Sequence, residues 1–109
     1  MEVMTQGAAP VSGSWTHSFE EDEAGGVLVY RPTHSFAFPP SRAGRDSIEF
    51  GEGGGFSEWT PGPDDRPRSS AGRWQALGMN RFALSTADAS GRVIEVLEAT
   101  QDILKIRRL

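Results

Sequence analysis

The stretch RVIEVLEATQDILKIRRL, residues 92–109, decides between a helical and an all-β fold. It is the longest stretch without glycine or proline, so a helix is the alternative to be weighed here. Its apolar residues, however, are mostly valine and isoleucine, whose branched side chains favour strands. Thr100-Gln101-Asp102 also interrupts the stretch near its middle. We therefore predict two strands, Arg92–Ala99 and Asp102–Arg107, in place of one helix.

The rest of the chain shows the same rhythm of short alternating segments. Gly, Pro, Asn or Asp punctuates it about every ten residues, as between the strands of a sandwich or a barrel. Gly53-Gly54-Gly55 and Gly78-Met79-Asn80 are typical of tight turns between paired strands. Six more strands are therefore predicted: Ser14–Phe19, Val27–Arg31, Ser47–Phe50, Gly55–Thr60, Arg73–Leu77 and Arg81–Ser85.

These eight strands predict a closed barrel. Most connections are short, so that strands adjacent in sequence can pair as a meander. Closure of the meander then removes both exposed sheet edges. We predict an all-β fold, an antiparallel eight-stranded up-and-down β-barrel. It would be formed by residues 14–109 as a single domain, after a disordered leader of residues 1–13.

An up-and-down order also predicts how charge is distributed. Its connections alternate between the barrel ends, so the two long connections, residues 32–46 and 61–72, would share the end that carries the chain termini. That end would be basic, since it would gather Arg42, Arg45, Arg66, Arg68, Arg107 and Arg108. The opposite end would be acidic, since it would receive residues 20–23 and Glu52.

Composition limits the classes of function. The chain has 109 residues, with 11 Lys and Arg against 15 Asp and Glu, and a net charge of −4. A negative balance argues against binding of nucleic acid or of an anionic membrane, so we expect neither partner. The chain has no cysteine, which excludes disulfides and thiolate metal sites. With two histidines we expect no metal site, and we expect no cofactor. Residues 1–13 lack the basic and apolar regions of a secretory signal, so we expect a cytoplasmic protein.

Two short motifs carry a resemblance to a known family. Gly13-Ser14-Trp15 opens the first strand, and Lys105-Ile106-Arg107-Arg108 ends the last one. Together they resemble the lipocalin-like (calycin) small β-barrels. The resemblance implies that Trp15 packs at one barrel end, with Arg107 or Arg108 lying over its ring.

A second G-x-W, Gly72-Arg73-Trp74, opens the fifth strand. Glycine there would let the backbone approach closely where the tryptophan turns inward. The chain departs from the family in three ways. It is shorter than a typical lipocalin, it lacks the C-terminal helix, and its long connections would lie at the end opposite the lipocalin mouth.

The leading interpretation is a small barrel that binds a small hydrophobic ligand, in the lumen or at the arginine-rich end. If the ligand is anionic, planar guanidinium groups on stiff loops suit its carboxylate or phosphate. Pairing of these arginines with nearby aspartates is the alternative. The candidate ligand-binding residues are Trp15, Phe50, Trp74 and Phe82 as the apolar lining, Arg42, Arg45 and Arg66 as the anion-orienting set, and His17 on the inward face of the first strand.

Two other classes of function stay open. A protein-interaction module would use a filled barrel only to display its proline-stiffened loops. An enzyme would use His17 with an inward carboxylate, Glu58 or Glu95, for acid–base chemistry. No GxGxxG, HExxH or GxSxG motif indicates a familiar catalytic site, which favours a binding protein. We expect a small molecule or a protein as the partner, and a monomer or homodimer as the assembly.

Overall fold

The computed structural model describes residues 12–42, 44–62, 68–87 and 91–109. In this part of the chain eight antiparallel strands form a closed barrel and no α-helix occurs. Two short 3₁₀ turns, Phe19–Glu21 and Glu52–Gly54, lie in the connections. The strands are β1 (Gly13–His17), β2 (Val27–Pro32), β3 (Ser47–Phe50), β4 (Gly55–Thr60), β5 (Arg68–Gly78), β6 (Arg81–Thr86), β7 (Arg92–Ala99) and β8 (Leu104–Arg108).

The predicted eight-stranded antiparallel barrel is confirmed. Residues 92–109 form two paired strands, β7 and β8, with Ile94 opposite Arg108 and Ala99 opposite Leu104. β5 begins at Arg68, five residues before the predicted start at Arg73. Its first half contains Ser69-Ser70-Ala71, which shows no apolar alternation, and it is a strand because it pairs with β4 along its length.

The order of the strands around the barrel corrects the up-and-down prediction. β1 lies between β2 and β3, and β2 closes the barrel against β8. Since β1 is antiparallel to both of its neighbours, β2 and β3 run in the same direction. The connection 33–46 therefore runs from one end of the barrel to the other. The prediction fails here because it assumed that strands adjacent in sequence pair, whereas this connection is long enough to pass β1.

This order also corrects the predicted separation of charge. The end of the barrel at which β8 finishes, here called the C-terminal end, carries the β1–β2, β4–β5 and β6–β7 connections. The acidic residues 20–23 therefore lie at the same end as Arg107 and Arg108. The opposite end, here called the N-terminal end, carries the start of β1 and the β3–β4, β5–β6 and β7–β8 connections. The chain thus enters and leaves the barrel at opposite ends, and neither end has one sign of charge.

Aromatic rings fill the half of the barrel toward the N-terminal end. Phe50 is almost wholly buried, and its ring lies 5.2 Å from that of Phe56 and 6.3 Å from that of Trp74. Trp74 also contacts Phe82, at 5.8 Å between rings. Its indole Nε1 donates a hydrogen bond to the carbonyl oxygen of Gly51 at 3.0 Å, which joins the rings to the β3–β4 connection. This packing closes the N-terminal end of the lumen.

Among the described residues, no helix has the length and apolar character needed to cross a membrane.

A candidate ligand cavity at the C-terminal end

The other half of the lumen holds a cavity of about 150 Å³ that opens at the C-terminal end. Six strands contribute to it, because alternate residues of each strand point into the barrel. The lining consists of the apolar residues Ile48, Phe56, Leu84, Val93, Ile94, Ile106 and Leu109, with the polar residues Tyr30, Glu58, Arg92 and Arg108.

An ion pair spans the lumen at the mouth of this cavity. Glu58 lies on β4 and Arg92 on β7, and two strands separate them in the barrel. The two terminal nitrogens of Arg92 donate to the two carboxylate oxygens of Glu58, at 2.9 and 3.1 Å. The guanidinium also lies over the ring of Phe56, 5.9 Å from its centroid. This fork of two hydrogen bonds fixes the geometry of both side chains, which sit half-buried at the mouth.

Three polar groups around the cavity have no partner among the described residues. The Nε atom of Arg92 is buried and makes no hydrogen bond. Arg108, on the inward face of β8 beyond Ile106, forms no ion pair with any described side chain. The hydroxyl of Tyr30 likewise has no described hydrogen-bond partner, and burial raises the pKa of Tyr30 to about 12. A neutral phenol and the guanidinium of Arg108, which is exposed at the mouth, thus present O–H and N–H donors to the cavity.

His17 lies at the rim, beside the cavity, and is held there by its neighbours. Its ring stacks on that of Tyr30 at 5.0 Å, and its Nε2 lies 3.0 Å from both carboxylate oxygens of Asp22. Asp22 also accepts a hydrogen bond from the backbone N–H of Val29. The histidine therefore anchors the β1–β2 connection onto β2.

The acid–base pairs predicted for an enzyme are not formed. His17 contacts Asp22, while Glu58 is bound by Arg92. Glu95 lies on the outer face of β7, since its neighbour Ile94 is buried in the core, and it accepts a hydrogen bond from Arg107 at 2.7 Å. Neither predicted carboxylate is therefore positioned to exchange a proton with His17.

The predicted apolar lining belongs to the core rather than to the cavity. Trp15, Phe50 and Phe82 belong to the packed cluster and the half-buried Trp74 packs against it, while none of the four lines the opening. The prediction identified inward-facing aromatic residues correctly. It did not place them along the barrel axis, because that depends on strand order and register.

Of the predicted anion-orienting arginines, the two that the structure describes, Arg42 and Arg45, do not line the cavity. Arg45 donates to Glu20, to the carbonyl oxygens of His17 and Pro39, and lies between the rings of Phe19 and Phe38. Arg42 is exposed in the long connection 33–46. Arg66 lies outside the described residues.

The arginine contact that the family resemblance implied for Trp15 is not formed among the described residues. The cation–ring contacts of the described residues involve phenylalanine rings, and none involves Trp15. Arg107 is bound to Glu95, and Arg108 lines the cavity two strands away from β1. The indole Nε1 of Trp15 is buried without a hydrogen-bond partner among the described residues.

The sequence held a signal for the residues that the prediction missed. Arg92 and Ile94 are two residues apart on β7 and share its inward face, as Ile106 and Arg108 do on β8. Each arginine therefore continues an inward apolar face to the end of its strand. An arginine at such a position lies at the mouth of a barrel. Arg92 begins a strand whose bounds were predicted correctly, whereas the last strand was predicted to end at Arg107, one residue before Arg108.

Comparison of the chain with models of known protein families, with curated proteins and with solved structures finds no match. Within the described residues, no group of three or more histidine and acidic side chains is placed to hold a metal ion.

Proposed function

We propose that the protein binds a small apolar ligand in the cavity at the C-terminal end of its barrel. The supporting observation is the cavity of about 150 Å³ in the lumen. Protein interiors seldom leave a void much larger than a water molecule, so a space of this size needs a reason. A dry apolar cavity of about 150 Å³ engineered into another protein binds benzene. The ligand therefore has an apolar body about the size of one ring or a short branched chain.

The lipocalin-like resemblance supports the same class of function, since those barrels hold small hydrophobic ligands in their lumen. That family assignment and a cytoplasmic location stay predictions. The cavity supplies aliphatic and aromatic walls for affinity and a few polar groups for orientation, which is the usual composition of a ligand site.

The protein-interaction alternative depends on the proline-rich connections. In the first of these, Phe36 and Phe38 pack edge to face at 4.8 Å, and the guanidinium groups of Arg31 and Arg45 lie over their rings. That connection uses its aromatic residues to hold itself together. The alternative stays a prediction, with no contact in the described residues that favours it over the cavity.

An NMR titration with toluene tests the proposal. We expect the amide and methyl resonances of cavity residues such as Leu84, Ile94 and Ile106 to shift saturably. Ile94→Phe should abolish binding because the added ring fills the cavity. Leu97→Phe adds similar bulk at an exposed position of the same strand and should leave binding unchanged. Shifts confined to residues outside the cavity, or no shifts in the native protein, would contradict the proposal.

A further inference from the structure

We propose that the ligand is a small monocarboxylate, an acid with a ring-sized apolar body, and that Arg108 pairs with its carboxylate. The inference rests on the proposed function and names the class of ligand that the cavity takes.

The first support is the charge left over at the mouth. Two guanidinium groups, those of Arg92 and Arg108, line the cavity with one side-chain carboxylate, that of Glu58. Both oxygens of Glu58 are already bound by the terminal nitrogens of Arg92. Arg108 therefore remains a cation with no carboxylate partner among the described residues. A planar guanidinium in that state binds a carboxylate through two parallel hydrogen bonds.

The second support is that the polar groups of the cavity without a partner are hydrogen-bond donors. The guanidinium of Arg108 and the hydroxyl of Tyr30 line the cavity, and neither has a hydrogen-bond partner in the described part of the chain. Both groups are donors at neutral pH. An acid anion with two acceptor oxygens satisfies them. A ligand ammonium group would be repelled by the charge of Arg108, and both oxygens of Glu58 are already bound by Arg92.

The third support is size. Phe50 and Leu104 are almost wholly buried in the core cluster, so the lumen does not continue to the N-terminal end. A volume of about 150 Å³ holds one ring but not an extended acyl chain. The acid is therefore of the size of benzoate, and long-chain fatty acids are excluded from the lumen.

The test compares probes of nearly equal shape: toluene, benzoate, benzamide and benzylammonium. We expect benzoate to bind the native protein about tenfold more tightly than benzamide, because its charge is matched by Arg108. In Arg108→Gln the ratio of the affinity for benzoate to that for benzamide should fall nearly to one, while toluene still binds. Arg107→Gln is the matched control, since it removes the same charge from the next residue, on the outer face of β8. It should keep the preference for benzoate.

Each other outcome has a defined meaning. Equal binding of benzoate and benzamide to the native protein would overturn the assignment of the ligand as an acid. That result does not depend on whether the variants fold. If toluene still bound, the proposed function would be unaffected. Tighter binding of benzylammonium, or equal losses in the two variants, would also overturn the assignment of the acid. Displacement of benzoate by lower concentrations of palmitate would overturn the assigned size. Failure of every probe, toluene included, would instead contradict the proposed function itself.

Discussion

Arg45 holds both carboxylate oxygens of Glu20, at 2.6 and 2.9 Å. The pair joins the end of the connection 33–46 to the β1–β2 connection, so two segments far apart in sequence meet at the C-terminal end. The hydrogen bonds from Arg45 lower the pKa of Glu20 from its ordinary value. This contact explains how the long connection is fastened after it passes β1.

Arg45→Ala should therefore destabilise the barrel. The substitution removes the contacts with the rings of Phe19 and Phe38, each worth about 0.5–1 kcal/mol, in addition to the hydrogen bonds. Arg42→Ala removes an exposed arginine of the same connection and is the control. The free energy of unfolding from urea denaturation measures both. Equal effects of the two substitutions would show that Arg45 does not fasten the connection.

The sequence predicts the barrel well because strand alternation and turn residues are local signals. β7 and β8 illustrate this, since branched residues and the break at Thr100 suffice to identify two strands. The exchange of β1 and β2 in the strand order was not predictable in the same way. It depends on longer-range contacts, such as that of Arg45 with Glu20, which joins the connection 33–46 to the β1–β2 connection.

The candidate site shows the same limit. Inward-facing residues follow from alternation, and Phe50 and Trp74 do face inward. Whether such a residue closes one end or lines the mouth at the other depends on register and on the pairing of neighbours around the whole barrel. The ion pair between Glu58 and Arg92 crosses from β4 to β7, and no local pattern indicates a contact across the lumen.

The two G-x-W glycines have different roles, and Gly72→Ala tests one of them. A Cβ on Gly72 would overlap the carbonyl oxygen of Ser85 on β6, as the prediction of close backbone approach requires. Gly13 has open space instead but a φ of +108°, which side chains rarely adopt. We expect Gly72→Ala to cost about 1–3 kcal/mol of unfolding free energy, as overpacking does.

Gly55→Ala is the matched control for Gly72→Ala. Gly55 lies on the paired strand β4 with a φ of −73°, and a Cβ there would meet no atom within 4 Å. We expect its effect on unfolding free energy to be small. Similar losses for the two variants would mean that strand glycines are needed for reasons other than the contact with Ser85.

Glu21 should make stability depend on pH in the acid range. Hydrogen bonds from Arg31 and then Ser18 lower the pKa of Glu21 from 4.5 to about 2. A pKa that is lower in the folded state stabilises the protein above about pH 4.5, and this contribution is lost as the pH falls toward 2. The urea midpoint of the native protein should exceed that of Glu21→Gln at neutral pH, and the difference should shrink on acidification. Glu49→Gln, at an exposed position, controls for the loss of one charge.

Ionisation of Tyr30 should lower the stability of the protein at alkaline pH. Tyr30 is the one tyrosine of the chain, so the ultraviolet absorbance of tyrosinate reports on it alone. Burial raises its pKa from about 10 in the unfolded chain to about 12 in the fold. Because the pKa is higher in the folded state, its contribution to stability is complete below about pH 10 and is lost as the pH rises toward 12.

Tyrosinate should therefore form well above pH 10 in the folded protein, and near pH 10 in urea. Tyr30→Phe should show less loss of stability between pH 10 and 12 than the native protein. Ionisation near pH 10 while the near-ultraviolet circular dichroism remains that of the fold would show that the phenol is not shielded in the cavity wall.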